Sequence, residues 1–351
     1  MNKLLKKIVS LTAVCAMSAS FAVGAYAEDF TDMPSDWRTT AIENAVKNGL
    51  ISGMGDGTVA PDANITRAQM AAIIVRALGA TEEADISKFV DISVDKWYYK
   101  ELAKAVYMKA FAGDGDKMNP ENNITFQECF TVLSNVFNLW YRTTDEETEL
   151  ELAKYVDGAE VAAWAKKYYA SVLENGYWTG GPDNLLKPTA YITRGEFAVV
   201  MDNMIKTYIT DAGEVGELPE GNVLVRGSGA VFNGTSIKGD LIIGDGVPAE
   251  GITLDNINVD GRLVFRGCAS PGMVEKTDAD GNTKEIISYT KVGAVPTGYA
   301  FDLQVIAPYI DLSLTGITVK KLYTIKDTHI TLPNAGGAPS KPAPAEATEN
   351  K

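Results

Sequence analysis

Up to about Asp211 the apolar residues of this chain return every three or four positions; further on they come in short runs broken by Gly, Asn and Asp. The first spacing predicts amphipathic helices and the second predicts strands. One helical stretch, NITRAQMAAIIVRAL at 64–78, carries its own start signal. Thr66 is placed to cap the first-turn amides, and Gln69 to reach back to the cap amide and close a capping box. Ile65 and Met70 flank the cap as a hydrophobic staple, and Met70, Ile73, Ile74 and Ala77 form one apolar stripe.

The same phrase occurs three times. NITFQECFTVLSNVF starts at Asn123 and YITRGEFAVVMDNMI at Tyr191, with boxes Thr125/Glu128 and Thr193/Glu196 and staples Ile124/Cys129 and Ile192/Phe197. Three copies of ordinary helix punctuation make a repeat. Each copy can be anchored on a tryptophan: Trp37, Trp97 and Trp164. Apolar residues at fixed offsets behind it, such as Ile42, Leu102 and Tyr169, predict a first helix. Gly53, Gly113 and Gly180 then fall where the chain turns out of that helix, with φ expected to be positive. Pro61, Pro120 and Pro188 stiffen the return to the next cap.

These motifs resemble the S-layer homology (SLH) family, the wall-binding modules of bacterial surface proteins. The resemblance rests on FTDMPSDW, GMGDGTVAP and ITRAQ; on FVDISVDKW, GDGDKMNP and ITFQE; and on YVDGAEVAAW, GGPDNLLKP and ITRGE. It covers about residues 30–205 and implies three modules in a pseudo-threefold helical bundle. It also implies binding of secondary cell-wall polysaccharide, often pyruvylated and linked to peptidoglycan, in grooves between modules. By the same resemblance the grooves are lined by Arg67 and Arg194, by Trp37, Trp97 and Trp164, and by Gly53, Gly113 and Gly180.

Arg67 is odd for its own helix, because a cation in the first turn opposes the helix dipole. A carboxylate-bearing glycan would explain it: a guanidinium offers a bidentate fork, and a helix N-terminus adds free amides. Recurrence at Arg194 favours this over a merely solvated arginine. Trp37, Trp97 and Trp164 could each stack on a sugar face or fill the core, and the residues alone leave both open. Repeat two departs from the pattern, with Phe126 at the arginine position and Lys109 where the others have Gly49 and Gly176. Its groove is expected to be weakened, with Lys109 or Lys117 the nearest replacement cations.

The first 27 residues read as a secretory leader: Lys3, Lys6 and Lys7, an apolar stretch from Ile8, and AYA ending at Ala27. Cys15 would suit a lipoprotein, but Val14 is bulky for that signal. Losing three lysines and no acid takes the formal net charge from −14 to −17, which argues against nucleic acid as partner. No other apolar run approaches a transmembrane length. Cys129 and Cys268 fall in different predicted domains, and no disulfide is expected.

Beyond a polar linker, NGTSIKGDLIIGDG and DNINVDGRLVFRGC match at an offset of 22, Ile237 falling on Val259 and Leu241 on Leu263. This predicts a short right-handed parallel β-helix, with a β-sandwich as alternative. A hairpin is expected around Asp280-Gly281. The division is a leader (1–27), SLH repeats (28–84, 85–145, 146–212), a linker (213–220), a β domain (221–332) and a disordered Pro/Ala-rich tail (333–351). A single histidine, His329, argues against His-dependent triads and multi-His zinc sites. Asp240, Asp245, Asp255, Asp260, Asp302 and Asp311 lie mostly in turn sequence, and neither DADGN nor DGDKMN has EF-hand spacing. No metal, cofactor or catalytic residue is therefore expected. The chain reads as a wall-anchored surface protein, possible company for S-layer proteins. A wall-anchored carbohydrate enzyme with a catalytic β-helix is the alternative, and a lipoprotein or adhesin using the repeats as scaffold is a third reading.

Overall fold

The computed structural model describes residues 30–140, 143–248 and 251–268, then 273–277, 283–287, 290–295, 300–306, 310–314, 318–324 and 329–331. The expected leader, the tail and the turn at Asp280-Gly281 lie outside these residues. Seven α-helices among them occupy the first part of the chain: α1 (Thr39–Lys47), α2 (Arg67–Leu78), α3 (Tyr99–Tyr107), α4 (Phe126–Val136), α5 (Asp145–Leu152), α6 (Lys166–Glu174) and α7 (Arg194–Met204). Each of α2, α4 and α7 starts at its predicted capping box. Both members of each staple are buried. α5 was not anticipated: it has a complete box, Thr144 with Glu147, but buries only Thr148 and Leu152, so it shows no apolar stripe.

The three staple isoleucines close a ring. The Ile65 amide donates to the Ile192 carbonyl (3.0 Å), Ile192 to Ile124 (3.1 Å), and Ile124 to Ile65 (3.0 Å). Each module therefore gives one backbone bond and receives one, and the three capped helices begin around a common centre.

Beyond α7 the regular elements among the described residues are strands. A six-stranded parallel sheet runs in the order β1 (Thr207–Ile209), β3 (Val223–Val225), β6 (Leu241–Ile243), β9 (Arg262–Phe265), β13 (Ala300–Val305), β15 (Thr318–Thr324). Smaller parallel sheets join β2 (Gly213–Glu214), β4 (Ala230–Asn233) and β7 (Ile252–Asp255); β5 (Ser236–Ile237) and β8 (Asn258–Val259); and β12 (Thr290–Val295), β14 (Ile310–Leu314) and β16 (His329–Thr331). Ile237 pairs beside Val259 and Leu241 beside Leu263, the register set by the 22-residue offset. Among the described strands only β10 (Met273–Thr277) and β11 (Thr283–Ile287) pair antiparallel, flanking the expected hairpin turn. A sandwich of antiparallel sheets does not describe this arrangement. The segment expected as a linker, 213–220, opens with β2, which pairs with β4, and just before it β1 pairs with β3, so α7 runs almost directly into the sheet.

Two of the three loop glycines, Gly53 and Gly113, hold their places for a different reason than expected. Only Gly180 has a positive φ, at 85°. A Cβ on Gly53 would lie 2.4 Å from Cε1 of Phe30, and one on Gly113 would lie 2.3 Å from Cε1 of Phe89 and 2.7 Å from the Lys117 carbonyl. Close approach to an aromatic ring of the same module excludes a side chain there. The left-handed turn after the first helix sits four residues earlier, at Gly49 (66°), Lys109 (57°) and Gly176 (70°).

Two stability changes follow from these backbone positions. Gly113→Ala should cost about 1–3 kcal/mol by overpacking against the buried Phe89. Lys109→Gly should stabilise the protein by about 0.5–1 kcal/mol, because it relieves a left-handed conformation in an L-residue. Urea midpoints of both variants against the parent would check the two opposite signs.

Candidate functional site

The candidate site is the set of three junctions where the start of one module's capped helix meets the loop of another. At the first, α2 meets the loop of module two: the Arg67 amide donates to the Asn122 carbonyl and the Ala68 amide to Pro120 (both 2.9 Å). At the second, Phe126 and Gln127 donate to Ala190 and Pro188 (both 3.0 Å); at the third, Arg194 and Gly195 donate to Ala63 and Pro61 (both 2.9 Å). Each cap threonine accepts from the amide three residues further on, that of Gln69, Glu128 or Glu196. The first-turn amides are thus occupied by the neighbouring module, which corrects the expectation that they are free for an anion.

The loops are shaped by a residue that the sequence reading passed over. Asp32 accepts from the Val59 and Ala60 amides (2.7 and 2.8 Å), Asp91 from Met118 and Asn119 (2.9 and 2.7 Å), and Asp157 from Leu186 and Lys187 (2.9 and 2.8 Å). Each clasp steadies a positive φ just before the loop proline: 50° at Ala60, 51° at Asn119 and 51° at Lys187. The three aspartates stand five, six and seven residues before their tryptophans, so an alignment anchored on tryptophan pulls them out of step.

Both arginines point into these loops. Arg67 donates Nε to the Met118 carbonyl (2.9 Å) and Nη2 to Ala112 (3.4 Å), with its guanidinium 5.6 Å from the Phe111 ring centre. Arg194 donates Nε to Val59 (2.8 Å) and Nη2 to Ser52 (2.9 Å). Neither is therefore a misplaced charge; each ties its helix start to another module's loop. They differ in access. Arg67 is half-buried and none of its bonds is to a carboxylate; burial holds its pKa below the usual arginine range despite the nearby acids Glu128, Asp91 and Asp114. Arg194 is only 3% exposed, in a narrow cleft with Ser52, Gln69 and Arg76, so an open ligand-facing role for it is not what the geometry provides.

The second junction is wired differently. Phe126 is buried against Trp178 (5.2 Å between ring centres) and Phe130 (5.8 Å). The loop carbonyl that an arginine would take, Leu186, instead accepts from the Tyr169 hydroxyl at 2.6 Å. Burial pushes the Tyr169 phenol well above its ordinary pKa, so it stays a donor. Tyr169 stands where the other modules have Ile42 and Leu102, so two substitutions compensate one another. Neither Lys109 nor Lys117 takes over the arginine's bonds.

The tryptophans part company. Trp37 and Trp164 are 44% and 54% exposed, which leaves indole surface open to a ligand. Trp37 lies 6.0 Å from Trp178. Trp97 is partly buried, packed against the core and edge-on to Tyr98. Gly53, Gly113 and Gly180 do not offer backbone to a groove through their missing Cβ atoms; that space belongs to Phe30, Phe89 and the Asn184 backbone. Among the described residues no group of His, Cys, Asp and Glu could hold a metal, and no helix is long and apolar enough to cross a membrane.

The comparisons with known proteins meet this geometry module by module. The family model described as S-layer homology domain matches residues 29–71, 88–128 and 154–198, each spanning one loop and the start of one capped helix. The Surface-layer 125 kDa protein of Lysinibacillus sphaericus is 32% identical over 209 residues, 57% of this chain and 17% of that protein. Exoglucanase XynX of Acetivibrio thermocellus is 27% identical over 177 residues, 50% of this chain and 16% of the relative. An Amylopullulanase of Thermoanaerobacterium thermosulfurigenes is 24% identical over 188 residues, 54% and 10% of the two chains. The chain therefore spans less than a fifth of each of these relatives. Its helical half is three tandem modules and belongs to the S-layer homology domain family.

Proposed function

We propose that the three modules hold an exported protein non-covalently on secondary cell-wall polysaccharide, with pyruvate ketals as the charged feature recognised. S-layer homology domains imply anchoring at the cell surface; the glycan is our reading of the junctions. Arg67 is the observation that carries it. Its guanidinium is half-buried, bonded to carbonyls and paired with no carboxylate, so an anionic sugar substituent could add a charge-assisted bond that the protein itself does not supply. Trp37 and Trp164 supply exposed indole faces for sugar rings. Arg194 and Phe126 hold the module geometry in this reading, and Trp97 and the loop glycines support it from within.

The strand half, read as a short right-handed parallel β-helix, is displayed and not catalytic, beside S-layer proteins at the surface. Its acids support this: Asp240, Asp245 and Asp260 are paired with Arg262, Arg266 and Lys238. Turnover of a wall glycan by the purified chain would overturn that part.

The anchoring test uses the full chain with purified cell walls. It should sediment with walls that carry the secondary polysaccharide and stay in solution with walls stripped of it; equal sedimentation with both would sink the glycan reading. Arg67→Gln should weaken binding about tenfold or more, since a charge-assisted bond contributes about 1.5–3 kcal/mol. Arg194→Gln should instead lower stability by about 1–3 kcal/mol through two lost carbonyl bonds, read from denaturant midpoints.

The second junction has its own test. Phe126→Arg should destabilise strongly, by about 3 kcal/mol or more, as a buried cation with its carbonyl already taken. Adding Tyr169→Leu frees that carbonyl and should recover part of the loss. If the double variant is no more stable than the single one, the compensation is not real.

A further inference from the structure

The C-terminal ends of the helices are closed by side chains from the strand half. A helix leaves its last carbonyls without intrahelical donors, and a cation there also complements the dipole. Arg226, directly after β3, donates Nη2 to Asn48 (2.9 Å) at the end of α1 and Nη1 to Arg76 (3.4 Å) near the end of α2. Arg262, opening β9, donates Nη1 to Phe137 and Asn138 (both 3.1 Å) just past α4. Arg266, just after β9, donates Nη1 to Val136 (2.6 Å) in α4 and Nη2 to Met108 (3.3 Å) after α3. Asn222, just before β3, donates to Met204 (2.8 Å), the last residue of α7. Five of the seven helices are met in this way.

The guanidinium groups are themselves held. Asp240 accepts from Nε of Arg262 (2.8 Å) and Asp245 from Nε of Arg266 (2.7 Å), and both arginines are buried. Backbone touches backbone as well: the Gly246 amide donates to the Leu78 carbonyl (2.9 Å), and a Cβ on Gly246 would lie 2.2 Å from the Gly79 oxygen. The core does not stop at the boundary. The middle residues of β3, β6 and β9 (Leu224, Ile242 and Val264) belong to the hydrophobic cluster of the helices. Their neighbours Val223, Val225, Leu241, Ile243, Leu263 and Phe265 belong to that of the strand half, as alternation along a strand requires.

We propose that the strand half is a fourth structural part of the helical unit. β3, β6 and β9 form a plate that completes the helix ends, so the two halves unfold together and the strand half stands at one fixed attitude to the bundle. A load on the strand half would then reach the bundle through bonds spread over five helix ends, not only through the covalent link between Met204 and Thr207. The inference does not depend on what the modules bind.

The test follows unfolding of the full chain with two reporters. All five tryptophans lie in the helical half, so tryptophan fluorescence reads that half alone. Cys268 is buried in the strand half, and its alkylation, located by peptide mapping, reads the other. In the parent the two midpoints should coincide. Arg266→Gln should lower both together by roughly 5–15 °C, because it strands Asp245 and two helix carbonyls. Arg226→Gln should act in the same direction by less, and serves if Arg266→Gln fails to fold. Lys238→Ala, at an exposed ion pair, should move neither. Two separate transitions in the parent would overturn the proposal. So would an unchanged tryptophan midpoint in an arginine variant that loses Cys268 protection early.

Discussion

The helical half depends on a ring of three backbone hydrogen bonds, one from each staple isoleucine to the next. Its consequence is geometric. With the three capped helices starting at one centre, each first turn is pressed against a neighbour's loop, and its amides find the carbonyls beside the loop proline. The ring also explains why the staple residues are fully buried: any exposed backbone bond at the centre would compete with water. Local punctuation thus becomes inter-module contact without any residue changing its local role.

Once that centre is set, the loops must present carbonyls at fixed places. Asp32, Asp91 and Asp157 do this by accepting two successive amides each, which holds a left-handed residue before a proline. Gly53 and Gly113 clear space for an aromatic ring under the same turn. The arginine then has a carbonyl to reach in the first and third junctions. In the second, Tyr169 reaches the equivalent carbonyl from its own module, and Phe126 fills the vacated space against Trp178. The junction keeps one bond to the loop in all three cases and changes only which module supplies it.

The same economy governs the join between halves. Parallel strands buried on both faces need something to cover each face, and helix ends need donors. Setting the six-stranded sheet against the helix C-termini answers both needs with one surface. Arginine is the side chain suited to it, since one guanidinium spans two helix ends while its Nε stays on an aspartate. A chain that seemed divisible at a polar linker is continuous there in packing and in pairing.

Much of this was legible in the residues. Capping boxes, staples, the threefold repeat and the 22-residue strand register are short-range patterns, because caps and pairing periods act over a few residues or one strand spacing. α5 escaped because it has caps without a stripe, and the aspartate clasps because insertions shift them against the tryptophans. What needed the tertiary structure was every question of who receives a bond. Arg67 looked misplaced when its only visible neighbours were its own helix dipole and solvent. Folding set two carbonyls of another module, Met118 and Ala112, before it. Positive φ was assigned to Gly53 and Gly113, where the real constraint is a ring contributed from more than twenty residues away. Sequence periodicity specifies which face of an element is apolar and where it begins. The partner of a long polar side chain is chosen by where distant loops come to rest, and that is settled only when the three modules and the sheet close on one another.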